Sequence, residues 1–171
     1  FSRLTELEKS SLSNRSVKLF TLSSIKNASK AILGKPPSEK FTKHEKTLVV
    51  DYWNEVASNM PDWQLALSKK VSTCELRENY IHAHAVFLQA MGQIAPDLLA
   101  KKESAWKKHL KKLSRIDWSR NNKDWQNRAL IHGRMSKARS NVTLTGNYIK
   151  QRLGLNLNPA ESEIEETFRS G

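Results

Sequence analysis

The stretch STCELRENYIHAHAVFLQAMGQI, residues 72–94, decides the fold of this chain. It opens with a capping box, in which the side chains of Ser72 and Glu75 satisfy free backbone N–H groups at the start of a helix. Apolar residues then recur at helical spacing. The pattern predicts one long central helix that ends near Ile94, because Pro96 follows.

Helical patterns also fill most of the chain on both sides of this stretch. The whole sequence contains only six Gly and five Pro, too few for the many turns of an all-β fold. A length of 171 residues suits one domain. We therefore predict an all-α fold, a single compact bundle of about seven to nine helices over residues 1–171. The first residue is Phe1 rather than Met, so we expect the C-terminal fragment of a longer protein.

The positive charge of the chain is concentrated in one segment. The formal net charge is +12, and residues 101–152 hold 15 Lys and Arg against three acidic residues. The other 119 residues hold 14 basic and 14 acidic residues, so all of the excess lies in this basic segment. A field of one sign attracts a polyanion, which in the cytoplasm is most often nucleic acid. The alternative is a soluble protein with a solvated lysine face.

A cluster of four lysines in the basic segment falls on one side of a predicted helix. At 100° per residue they span an arc of 140°, while Trp106 lies on a separate arc. The four are Lys107, Lys108, Lys111 and Lys112. Ammonium groups in this arrangement suit phosphates and carry no base specificity. A membrane surface is disfavoured, because little apolar area remains for lipid, and a solvated helix face stays an alternative.

The end of the basic segment mixes cations with amides and hydroxyls, as surfaces that contact both phosphates and base edges do. Thr145 is expected to cap a helix whose outer face carries Asn147, Lys150 and Gln151. A basic turn with Arg134, Lys137 and Arg139 precedes it. Such a helix is suited to enter a major groove as a recognition helix. The alternative is an ordinary amphipathic helix that closes the bundle.

Signatures of catalysis, metal binding and membrane insertion are missing from the sequence. It contains no phosphate-binding loop, dinucleotide fingerprint, zinc-protease motif or serine nucleophile elbow. His82 and His84 are two residues apart, so on a helix they point about 200° apart and cannot share an ion. One cysteine, Cys74, excludes an internal disulfide and fits the cytoplasm. We expect no enzyme, no cofactor, no metal and no membrane partner.

Several blocks of the chain resemble a known family. They are residues 11–24, PDWQL at 61–65, residues 75–92, IDWSR at 116–120 and NVTLTGNYIKQRLGL at 141–155. Together they are similar to the C-terminal half of DndB proteins, the DNA sulfur modification (phosphorothioation) family within the wider DGQHR-domain group. The resemblance implies a transcriptional repressor that binds the promoter of its own modification operon. The string Asp-Gly-Gln-His-Arg is missing here, which agrees with a fragment that lacks the upstream half.

The residues expected to contact DNA are chosen by charge and placement. They are Arg15, Lys18, Lys107, Lys108, Lys111, Lys112, Arg120, Arg134, Lys137, Arg139, Asn147, Lys150, Gln151 and Arg152. The expected partner is double-stranded promoter DNA, and self-association into a homo-oligomer is left open. The first alternative is a helical module for oligomerisation or protein interaction in the sulfur modification system, without direct DNA contact. The second is an enzyme that acts on nucleic acid.

Overall fold

The computed structural model describes residues 2–8, 11–13, 16–36 and 38–170. These residues form α1 (Leu22–Ile32), α2 (Lys43–Ser58), α3 (Pro61–Leu67), α4 (Thr73–Asn79), α5 (Ala85–Leu99), α6 (Glu103–Leu110), α7 (Arg139–Leu153) and α8 (Pro159–Ser170). Short 3₁₀ turns lie at Ser2–Leu4, Ile81–Ala83, Lys111–Arg115 and Lys123–Trp125. Two small strand pairs complete them: β1 (Thr5–Glu6) with β2 (Phe20–Thr21), parallel, and β3 (Leu130–Ile131) with β4 (Arg134–Met135), antiparallel. The predicted all-α fold is confirmed.

Helix α5 is the centre of the bundle and packs mainly against α1 and α7. Its side chains are buried on nearly all sides, as expected of a helix with so many apolar residues. Small residues bring the neighbouring helices close. A Cβ added at Gly92 would lie 2.5 Å from the carbonyl oxygen of Ala28, and one at Gly146 would lie 3.3 Å from Ile94 Cγ2. These glycines therefore fix the distances from α5 to α1 and from α5 to α7.

The prediction of one continuous helix from Ser72 to Ile94 is wrong. Ser72 caps α4 as expected, with its hydroxyl accepting from the Glu75 N–H at 3.0 Å. The helix then ends, because Tyr80 is extended and bridges to Ser119. The Ile81 N–H donates to the Trp118 carbonyl at 2.9 Å. These contacts come from a segment almost 40 residues away, so local periodicity could not reveal them.

Pro96 also behaves differently from the prediction. It lies inside α5, which continues to Leu99. Only the last turn follows the proline, so the helix loses one backbone hydrogen bond near its end and does not stop.

The break at Tyr80 buries His82 completely. His82 Nδ1 accepts from the Trp63 indole N–H at 3.1 Å, and its Nε2–H donates to Asp62 Oδ2 at 2.9 Å. Burial lowers the pKa of His82, although Asp62 opposes this shift. His84 instead bonds the Arg77 carbonyl oxygen at 2.8 Å. Both histidines serve packing, and the described residues contain no cluster of three or more His, Cys, Asp or Glu side chains suited to a metal.

Candidate nucleic-acid interface

Three cations of the predicted set lie around the beginning of α7. Arg134, Lys137 and Arg139 are exposed, and none of them pairs with a carboxylate of the described residues. The hairpin of β3 and β4 holds Arg134, and Gly133 makes its tight turn with a φ of 74°. Helix α7 begins immediately afterwards at Arg139. The basic turn predicted from the sequence is therefore placed at a helix N-terminus.

The N-terminus of α7 is open to a ligand. Its N-cap is Ala138, which has no side chain that can accept from the first free N–H groups. The first backbone bond into the helix runs from the Val142 N–H to the Ala138 carbonyl oxygen. Free N–H groups and the positive end of the helix dipole favour an anion at this position.

A cavity of about 310 Å³ lies beside this N-terminus, and its lining combines amides and cations with the apolar side chains of Ala28, Ala31 and Val142. Asn27 comes from α1, and Gln89 and Gln93 come from α5. Lys137 precedes α7, and Arg139 is its first residue. Amide side chains donate to phosphate oxygens and also read base edges. The sequence analysis missed these three amides, because they lie in separate helices outside the basic segment and carry no charge.

The lysine cluster is divided between α6, which holds Lys107 and Lys108, and the 3₁₀ turn that follows, which holds Lys111 and Lys112. Lys108 and Lys111 are exposed. Lys107 pairs with Glu103 at 2.5 Å and lies 5.4 Å from the centre of the Trp106 ring. Lys112 donates to the Leu153 carbonyl oxygen at 2.8 Å. Lys108 and Lys111 therefore have no carboxylate partner among the described residues, Lys112 binds the main chain of the fold, and Lys107 makes an exposed ion pair that contributes little to stability.

His109 of α6 and Lys112 of the following 3₁₀ turn bind the C-terminal end of α7. Both donate to the Leu153 carbonyl oxygen, His109 through Nδ1 at 2.8 Å. Positive groups at the C-terminal end of a helix are favourable because of the helix dipole. The lysine cluster therefore lies near the C-terminal end of α7, and Arg139 lies at the N-terminal end. A helix of 15 residues separates its ends by about 21 Å.

The prediction that Asn147 and Lys150 occupy an outer face of the helix is wrong. Both are only 1% exposed, because α8 packs on that face. The Asn147 amide donates to the Glu161 carbonyl oxygen at 3.0 Å, and the Lys150 ammonium pairs with both Glu161 carboxylate oxygens and with Asp97. The prediction that Thr145 caps the helix is also wrong, since it is buried two turns inside α7. Only Gln151 of the predicted reading face is exposed.

The other predicted residues have structural partners or lie outside the described residues. Arg120 donates to the carbonyl oxygens of Glu78 and Gly133, so it holds the β3–β4 turn in place. Lys18 donates to the Arg3 carbonyl oxygen at 2.8 Å. Arg15 lies outside the described residues.

Arg152 keeps part of its guanidinium in solvent while it pairs with Asp124 at 3.0 Å. It also lies 4.9 Å from the centre of the Tyr148 ring. The Tyr148 hydroxyl donates to the same carboxylate at 2.7 Å, and this bond, together with Arg152, lowers the pKa of Asp124. The contact ties the C-terminal end of α7 to the 3₁₀ turn that holds Asp124.

Arg128 is a buried cation whose role the sequence did not indicate. Its guanidinium makes a two-pronged salt bridge with Glu165 of α8 and lies 4.2 Å from the centre of the Phe168 ring. Burial favours a higher pKa for Glu165, but Arg128, Arg169 and the Asn147 amide together outweigh burial, and the pKa is lowered. The two partners are 37 residues apart, so no local pattern links them. Together with the Lys150–Glu161 pair, this salt bridge fixes α8 onto the bundle.

No helix in the described part of the chain has the length and apolar character needed to cross a lipid bilayer. One family model matches residues 1–156, and its description reads "DndB: DNA-sulfur modification-associated". The match includes α7 and stops before α8. No curated protein matches the chain at a significant level, and no solved structure does.

Proposed function

Since this chain belongs to the DndB family of DNA-sulfur modification-associated proteins, we propose that it binds duplex DNA as a non-catalytic repressor of a modification operon. The DNA contact rests on one observation, the exposed cations and amides around the open N-terminus of α7. Charged groups there would bind phosphates, and the amides would contact phosphates or base edges. The repressor role comes from the family resemblance alone.

The two ends of α7 have different tasks in this proposal. Lys137 and Arg139 at the N-terminal end hold the DNA backbone next to Asn27, Gln89 and Gln93. Lys108 and Lys111 at the other end add phosphate contacts without base specificity.

The test replaces Lys137 and Arg139 together by Ala and measures the affinity for promoter duplex over a range of salt concentrations. Each lost phosphate contact should reduce the slope of log K against log salt by about 0.9. The matched control is Lys70→Ala, an exposed lysine outside the basic segment, which should leave affinity and slope unchanged. An unchanged slope in the double variant would remove the α7 N-terminus from the interface. A competing duplex of random sequence separates specific from general binding.

An exposed apolar surface supports the alternative, a module for protein interaction. Leu22 and Val50 are 47% and 54% exposed, and they line a cavity of about 360 Å³ with Ile25 and Trp53. Apolar side chains grouped on a surface often mark a protein contact. A self-associating protein would sediment as a dimer at high concentration, and Val50→Lys would return it to a monomer. If the protein sediments as a monomer at all concentrations, self-association through this surface is excluded.

A further inference from the structure

A second basic cavity lies outside the basic segment, between the end of α1 and the beginning of α2. Its volume is about 370 Å³. The lining residues are Lys26, Lys30, Ser38, Glu39, Lys40, Phe41 and Lys46. Residues 1–100 and 153–171 together carry no net charge, but the stretch 26–46 within them holds six Lys against two Glu. The four lysines lie within residues 26–46, and the turn between α1 and α2 brings them around one cavity.

Lys30 is the unusual member of this group. Its side chain is buried, with 5% of the residue exposed, and its ammonium nitrogen has no hydrogen-bond acceptor among the described residues. The ammonium group lies 4.8 Å from the centre of the Phe41 ring. A ring face attracts a cation, but it does not accept three N–H bonds as water or an anion does. A buried ammonium without an acceptor is unfavourable for the folded state, so this position is better satisfied when an anion is present.

The lysines around Lys30 make the electrostatic potential in the cavity more positive and so favour an anion there. Lys26, Lys40 and Lys46 are exposed lysines around the same cavity, and none pairs with a carboxylate of the described residues. Glu39 is the one acidic residue in the lining, and it pairs with Lys35 at 2.6 Å. Its charge is therefore partly neutralised, although it still repels an anion in the cavity.

We propose that this lysine cavity binds the phosphate groups of a small, diffusible anion. Ammonium groups act as point charges that bind phosphate oxygens, and the Ser38 hydroxyl adds a donor. The volume fits a small ligand, at the low end of the range for such sites. A free anion suits the site better than a DNA backbone, because the ammonium of Lys30 lies below the surface, where the phosphates of a rigid duplex do not reach.

Inorganic pyrophosphate is the probe, and the full chain is titrated with it by calorimetry at low salt. Lys30→Met keeps the aliphatic stem and removes the ammonium, and we expect it to weaken pyrophosphate binding at least about tenfold. The matched control is Lys43→Met, an exposed lysine at the start of α2 outside the cavity. It should bind pyrophosphate as the wild type does. Equal binding by wild type and Lys30→Met would overturn the proposal, and so would wild-type binding weaker than about 1 mM.

The unfolding temperature gives a second test, because losing the Lys30 ammonium should raise it without ligand but should remove the further rise that pyrophosphate produces. Without ligand, Lys30→Met should unfold at a higher temperature than the wild type, because an unpaired buried charge is gone. Pyrophosphate should raise the unfolding temperature of the wild type and not of the variant. If Lys30→Met does not fold, Lys26→Met replaces it, because Lys26 is exposed. A Lys26→Met variant that binds pyrophosphate with the affinity of the wild type would overturn the proposal.

A competition experiment distinguishes a free phosphate-bearing anion from the phosphates of a DNA backbone as the ligand of the lysine cavity. Protein saturated with pyrophosphate should still bind promoter duplex with unchanged affinity. Displacement of pyrophosphate by the duplex would overturn the assignment to a free anion and would make the cavity part of the DNA surface. The outcome is independent of the α7 variants, so failure of this proposal and failure of the proposed function can be told apart.

Discussion

The substitution Lys150→Met tests whether Lys150 stabilises the fold or contacts DNA. The sequence pattern assigns Lys150 to a DNA-reading face, whereas the structure buries it between α7, α8 and Asp97. Methionine has nearly the same length and removes the charge. If the structural role is correct, the variant loses stability and keeps its DNA affinity.

The magnitude follows from the partners of the ammonium group. Removing one member of a fully buried ion pair costs about 3–5 kcal/mol. Here the carboxylates partly reach water, since the side chains of Asp97 and Glu161 are 54% and 20% exposed. Glu161 also keeps a bond from the Asn158 N–H at 2.9 Å. We therefore expect a loss of about 2–3 kcal/mol, which lowers the unfolding temperature of a chain of this length by about 4–12 °C.

Two measurements are made on the wild type and on Lys150→Met. Circular dichroism monitors urea unfolding, and DNA affinity is measured under conditions where both proteins are folded. Lys70→Met is the matched control for both measurements, because it makes the same substitution at an exposed lysine outside the basic segment. Its stability should change by less than about 0.5 kcal/mol. The reasoning is refuted if Lys150→Met weakens DNA binding while its unfolding midpoint stays that of the wild type.

Two further predictions test other parts of the fold. Gly92→Ala places a Cβ 2.5 Å from the Ala28 carbonyl oxygen, so α1 and α5 must move apart, and urea unfolding should show a loss of about 2 kcal/mol. An unchanged midpoint would show that the two helices are not in this contact. Glu45 has a pKa lowered to about 2 by Lys35 and by its bond from the Thr42 N–H, so its contribution to stability is complete above pH 4.5 and is lost as the pH falls towards 2. An NMR titration of the Glu45 carboxyl should have its midpoint near 2, and a midpoint near 4.5 would contradict the capping contact.

The sequence predicted features that depend on neighbouring residues. The cap at Ser72 is such a feature, since it needs only a short pattern. The end of α4 at Tyr80 was missed because the main chain of a distant segment around Ser119 pairs with it. Periodicity reports which face of a segment is apolar, and it cannot report a partner that makes a different conformation more stable.

The candidate site was predicted only in part for a related reason. Charge concentration correctly indicated exposed cations at Arg134, Lys137 and Arg139. It could not indicate that Lys150 has an internal carboxylate partner, because Glu161 lies in a helix that returns onto α7. Formal charge counts every cation equally, whereas a folded protein uses some of them internally.

The burial of α7 changes the role that this helix can have on DNA. A recognition helix needs one long exposed face, but the middle of α7 is enclosed by α5 and α8 and only its ends reach solvent. The two ends of α7 lie about 21 Å apart along the helix axis, a length that corresponds to about six base pairs of a duplex. In the proposed complex α7 is therefore a rigid spacer that sets the distance between two groups of phosphate contacts. Sequence reading would then depend on the amides of α1 and α5 beside the N-terminal end, and not on the side chains in the middle of α7.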